Sequence, residues 1–324
     1  MIYYSDTRNW ISMQYQDRVS SLLASGYECL KNADLGSASK AFDQAMHDDF
    51  DNPEVLFAMK CAQFWNGMLE ELAGLETALG KGDRIVARWK SFQDFLSRIP
   101  GDFEKALYAF KRLAFGLALD FYLSVPDEVK TSLGAEFDFR LGRCRKALGD
   151  YETALQHLER AAKFKKDDAR YMAELADCQA LSGEQRISKT LFREAFFIAP
   201  DKIDLELLES DMIRKLIQRT EESRKELKEL AEWIPVYGEL SGLFGLPREL
   251  TPSERSRLTS SMFQLENDIR ENPSLEQSLK PRLLNRYFWL LRHYEATGAE
   301  QAKLEKTLQK IRLLDENIFK QYES

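Results

Sequence analysis

Apolar residues recur every three or four positions through most of the chain, the period of a helix with one buried face. After the turn Asp51-Asn52-Pro53 a new apolar helix begins, carrying Val55, Leu56, Met59 and Phe64. Residues 83–99 and 102–124 read as a long helical pair separated by Pro100-Gly101, the second rich in phenylalanine at Phe103, Phe110, Phe115 and Phe121. Residues 204–232 read as charged helix with an apolar stripe of Leu205, Leu208, Met212, Leu216 and Ile217. The run from Trp233 to Pro247 sets Gly238, Gly242 and Gly245 among apolar residues and reads as a hinge or boundary. Thr251-Pro252-Ser253-Glu254 has the form of a capping box, in which the Thr hydroxyl and the Glu carboxylate take orphan N–H groups at a helix start. Further helices are expected over 281–296 and 299–319. Strand-like alternation appears nowhere at useful length.

The pattern repeats. Residues 135–168 align with 169–202 at a shift of 34, pairing Leu141 with Leu175, Gly142 with Ala176, Cys144 with Cys178, Gly149 with Gly183, Leu158 with Phe192 and Ala161 with Ala195. Small residues meet small ones and large apolar residues meet large ones, as expected of two copies of one helical hairpin. A third copy lies over 19–52, where Ala38-x3-Phe42-x2-Ala45 has the spacing of Ala154-x3-Leu158-x2-Ala161, and Gly26 precedes Ala38 as Gly142 precedes Ala154.

Leu141-Gly142, Gly149-Asp150-Tyr151, Ala154, Leu158 and Ala161 together resemble the tetratricopeptide repeat, a helix–turn–helix unit with a late proline. Pro200 stands at the late-proline place of the second copy and Lys166 at that of the first. The early tryptophan is replaced in all three copies, by Asp138, Met172 and Leu22. In the last segment Leu290, Tyr294 and Gly298 fit a degenerate first helix, but Lys303 stands where a small residue belongs. The resemblance implies an all-α, right-handed solenoid of hairpins over residues 1–202, with an irregular middle. Charged helices and the Gly/Pro hinge follow over 203–247, and a C-terminal helical cap over 248–324.

Composition agrees with helix and narrows function. The chain has 324 residues with 16 Gly and 9 Pro. That is about 8% turn formers against a usual share of about 12%. Hydrophobic residues make up 44% and charged residues 31%, too apolar for disorder and too charged for a membrane protein. With 46 Lys and Arg against 53 Asp and Glu, the net charge of −7 argues against a nucleic-acid or anionic-membrane binder, which needs clustered cations. The opening MIYYSDTRNW has no basic segment followed by an apolar one, and the four cysteines form no CxxC pair, so a cytoplasmic location is expected.

No constellation of catalytic or metal-binding residues stands out. His47, His157 and His293 lack a HExxH or His/Cys context. Gly80-Lys81-Gly82-Asp83 lacks the remainder of a phosphate-binding loop and reads as a loop between helices. The acidic run 47–52 lacks the closing Glu of a calcium loop. The reading is non-enzymatic, with no metal and no cofactor. By the resemblance, first helices line an inner groove, which places Tyr27, Phe57, Phe64, Phe139, Arg143, Arg170 and Asp177 inward. Chaperone-binding members of that family clamp a terminal carboxylate with Lys and Asn. Here the matching positions read Phe139 and Arg143, then Ala173 and Asp177, so chaperone tails are not the expected partner. The function expected is a scaffold or adaptor holding a helical or extended segment of a protein partner. The alternatives are a helical protein with a small molecule in an apolar pocket, or a structural subunit that forms a homo-oligomer.

Overall fold

The computed structural model describes residues 3–223 and 229–323. The described residues are helical throughout, without a strand. The chain divides into two compact units, Met1–Ala161 and Ala162–Ser324. The first contains α1 (Tyr3–Lys31), α2 (Leu35–Asp48), α3 (Pro53–Asn66), α4 (Met68–Ala73), α5 (Ala78–Leu96), α6 (Glu104–Leu123), α7 (Asp127–Leu133) and α8 (Ala135–Ala147). The division falls within α9 (Tyr151–Phe164). The second unit continues with α10 (Ala169–Leu181), α11 (Gln185–Ile198), α12 (Asp211–Ser223), α13 (Leu230–Leu240), α14 (Pro252–Glu271), α15 (Glu276–Thr297), α16 (Gln301–Leu314) and α17 (Glu316–Glu323). Helices pack mainly on sequence neighbours, with α1 against α2, α5 against α6, α10 against α11, and α15 against both α14 and α16.

The 34-residue period is present in the backbone. Both ends of α8 and of α9 recur 34 positions later as the ends of α10 and α11. The turns match as well: Gly149 has φ +83° and Gly183 φ +94°, a left-handed conformation that glycine adopts without steric cost. The α1–α2 hairpin shares the design, and Ala33 takes the glycine's place there at φ +62°. Asp34 then caps α2 by accepting the Ser37 N–H at 2.9 Å.

The α1–α2 and α8–α9 hairpins close where a large side chain lies against a glycine, and Ala176 holds that place in α10. A Cβ on Gly26 would stand 2.3 Å from the Phe42 ring, and one on Gly142 would stand 2.6 Å from Leu158 Cγ. Phe42, Leu158, Ala154 and Ala161 are all 0% exposed. The second unit holds two apolar clusters. One runs from Ala169 through Phe192, Phe196 and Ile213 to Phe244, and the other from Trp233 through Trp289 to Ile318.

Several expected boundaries move. Gly80 and Gly82 are not in a loop but in the first turns of α5, because the Thr77 hydroxyl accepts the Gly80 N–H at 3.1 Å and caps the helix there. Gly82 is helical for a packing reason: a Cβ would come within 2.4 Å of the Tyr122 ring. The helix expected from 204 begins at Asp211, and residues 205–207 form a 3-10 turn. The cause is Asp177, whose carboxylate accepts the N–H groups of Glu209 and Ser210, both at 2.8 Å. Residues 224–228 of that expected helix lie outside the described residues. The run expected to hinge is largely α13, and Trp233, Ile234, Val236 and Phe244 are buried in it. The capping box at Thr251 forms as expected, and Asn52 caps α3 before Pro53.

Replacing Ala161 or Ala195 with Leu adds volume where both residues are 0% exposed. Each substitution is expected to cost about 1–3 kcal/mol of stability, read by denaturant unfolding.

Candidate functional site

The residues expected to line a groove occupy three different environments. Tyr27 on α1 is buried, tilted against Phe42, and donates its hydroxyl proton to Glu54 Oε1 at 2.8 Å, which ties α1 to α3. Burial and the neighbouring carboxylate raise its pKa well above the ordinary tyrosine value. Phe57 on α3 is 2% exposed and packs on Phe103 with ring centres 5.2 Å apart. Asp177 on α10 is 0% exposed and spends its carboxylate on the backbone before α12. These three side chains present almost no accessible surface, because packing partners distant in sequence cover each of them.

Phe64, Arg143 and Arg170 keep part of their surface. Phe64 sits at the rim of an aromatic cluster with Trp65, Phe92 and Phe95, stacking on Phe95 with centres 5.1 Å apart. Arg88 caps it: the guanidinium lies 5.0 Å from the Phe64 ring, donates to the Phe64 carbonyl and pairs with Glu71 at 2.8 Å. Phe110 and Phe115 of the Phe-rich α6 are buried against Phe92 and Trp89 of α5. On α8, Phe139 is 3% exposed and the Arg143 guanidinium covers it at 4.4 Å, within cation–π reach. Arg170 begins α10 and reaches back to Asp168, the N-cap residue, with Nε at 3.1 Å and Nη2 at 2.9 Å. Burial pushes the Asp168 carboxyl up, but Arg170 and Lys165 outweigh it and hold its pKa below the usual range. Arg143 belongs to the first unit and Arg170 to the second.

Sequence reasoning passed over a second cluster, on α11, α13 and α15. Phe197 of α11 and Trp289 of α15 pack with ring centres 4.1 Å apart. Two guanidiniums lie over the same indole, Arg193 at 5.2 Å and Arg248 at 4.8 Å, and a third, Arg286, lies 5.7 Å from the Phe197 ring. Most of the charges here are matched. Arg248 pairs with Glu194 and, at 2.8 Å, with Glu254; Arg282 pairs with Glu232; Arg292 pairs with Glu239 and, at 2.7 Å, with Glu295. Burial lifts the Glu232 and Glu239 carboxyls above their usual range even against these arginines. Arg193 is less well served. It donates to the Leu246 carbonyl, has Glu194 only at 3.9 Å, and its buried Nε has no partner. Burial, with Arg248 nearby, lowers its pKa to about 10. The local signal for this cluster was slight: Arg282, Arg286 and Arg292 along one helix beside a tryptophan, with partners far away in sequence.

The remaining chemistry-bearing residues serve structure. His157 contacts Asp138 at 2.7 Å beside Arg160, within the α8–α9 hairpin. His293 accepts the Leu250 N–H at 3.1 Å, and burial lowers its pKa. Cys61, Cys144 and Cys178 are buried, and burial pushes the Cys61 thiol up to about 12. Among the described residues no helix is long and apolar enough to cross a membrane, and no three His, Cys, Asp or Glu side chains gather as a metal site would require.

A comparison of the chain with protein-family models and with curated proteins finds no match to either.

The Asp168 carboxylate gives a pH test with a definite sign. A folded pKa held below the unfolded value contributes stability above the unfolded pKa and loses it as pH falls through the folded one. Asp168→Ala is therefore expected to lower stability by about 1 kcal/mol at neutral pH. Its difference from the unmodified chain should narrow as pH falls below the ordinary carboxylate range, read by urea unfolding across pH.

Proposed function

We propose that the protein is a non-catalytic scaffold or adaptor that binds a helical or extended segment of a protein partner. On this reading the matched hairpins are tetratricopeptide-like units and stack as a right-handed solenoid. The observation that carries it is the exact recurrence of helix bounds and turn conformation 34 residues apart, α8–α9 to α10–α11, with the same closure at Gly26 and Gly142. Stacked hairpins of this kind bury one face of each helix on a neighbour and leave side chains at regular spacing for a ligand segment. Buried cysteines at 61, 144 and 178 are in keeping with a reducing cytoplasm.

The partner-facing role falls to the residues that keep surface. Arg143 stands over Phe139, so the ring orients the guanidinium from below rather than touching the partner. Phe64 offers the open edge of an aromatic cluster, and Arg170 offers the outer side of its fork with Asp168. Guanidinium next to aromatic surface is the composition in which binding energy concentrates. The partner segment should be apolar with acidic residues.

The test is charge reversal at Arg143, with folding followed by circular dichroism and bound proteins identified after pull-down from the native cell. Arg143→Glu is expected to fold and to lose at least one partner that the unmodified chain retains. A folded variant with the full set of partners rejects this surface.

A further inference from the structure

Arg286 on α15 is a half-buried cation with no carboxylate in ion-pair contact among the described residues. Its Nε donates to Ser261 Oγ on α14 at 3.0 Å, and its Nη1 donates to the Arg282 carbonyl at 3.0 Å. With Phe197 beneath it, the guanidinium is held in place by three elements. No carboxylate comes within ion-pair distance of it among the described residues, although Arg282 and Arg292 on the same helix each have one. Burial lowers its pKa and Arg282 adds to the effect, while Glu232, beyond ion-pair distance, opposes it without cancelling it. Across the Phe197–Trp289 pair lies Arg193, 6% exposed and with an unpaired Nε. Two under-compensated guanidiniums thus flank one aromatic pair.

Holding a half-buried charge without an ion-pair partner is costlier than packing its buried part with Met or Leu. Such exceptions are expected where a group from outside completes the site. We infer that the α11–α15 face around Arg286 and Phe197 docks an acidic segment of a protein partner, with one of its carboxylates paired to the Arg286 fork and an apolar side chain against Phe197. A fixed planar fork matches a single carboxylate. Dense polyanions fit poorly, because the neighbouring guanidiniums of Arg248, Arg282 and Arg292 are already paired with carboxylates. The inference rests on the binding-protein reading and gives it a site in the second unit.

The experiment uses the full chain and a fluorescein-labelled octapeptide of alternating Glu and Leu, followed by anisotropy at constant ionic strength. The Gln/Leu counterpart measures the carboxylate's share. Saturable binding is expected for the Glu peptide and not for the Gln peptide. Arg286→Met should weaken it about tenfold or more while the variant melts at the same temperature or higher. Arg286→Gln should weaken it similarly, and Arg214→Gln, an exposed site on α12, should leave it unchanged. Absence of saturable binding, equal binding of the Gln peptide, equal loss in Arg214→Gln, or no loss at Arg286 would each overturn the site. A native pull-down separates the two readings. Partners retained by both the unmodified chain and Arg286→Met reject this site alone, whereas no partner on the unmodified chain rejects the scaffold reading itself.

Discussion

The architecture depends on one contact, a large side chain laid on a glycine of its neighbouring element. Phe42 lies on Gly26, Leu158 on Gly142, Tyr122 on Gly82 and Phe244 on Gly238, and at each a Cβ would stand between 2.2 and 2.6 Å from the intruding atom. Glycine costs helix propensity, so these positions weaken the isolated helices. What they gain is close approach, which brings polar groups within reach. Tyr122, seated over Gly82, donates to Asp83 at 2.7 Å, and Arg140 on α8 forks onto the same carboxylate at 2.8 and 3.1 Å. Three helices of the first unit are joined at that one aspartate.

The same economy governs the charged residues. Asp177 holds the chain before α12, Glu266 joins α14 to α15 and α16 through Tyr287 and Lys310, and Asp168 serves as a cap and as an ion-pair partner. Beside these, a charge that fastens two elements with no carboxylate in ion-pair distance stands apart. Arg286 does so in the second unit. In the first unit Arg143 lies half-buried over the Phe139 ring.

The repeat was legible because close packing constrains the sequence directly: a small residue must face a large one at fixed spacing. Gly142 with Leu158, and Gly149 at the turn, announce their contacts in the chain itself. The Thr251 capping box is local in the same way. Burial of the candidate groove was not legible. Tyr27 and Phe57 have the helical spacing that a groove or a core would equally show, and Glu54 and Phe103, which cover them, lie far along the chain. Gly80 and Gly82 looked like a loop because the reason for a helical glycine, Tyr122, is 40 residues beyond Gly82. The cluster at Trp289 draws its arginines from α11, α15 and the segment before α14, a gathering that periodicity does not encode.

The large-on-glycine contact separates two opposite outcomes at a single position. Gly142→Ala restores helix propensity, which alone would stabilise the chain by about 0.5–1 kcal/mol. The new methyl, however, would meet Leu158, which is itself 0% exposed and enclosed. Equilibrium urea unfolding of Gly142→Ala beside the unmodified chain decides between them. A lower midpoint is the result predicted here, and a midpoint raised to the extent that propensity requires would contradict it.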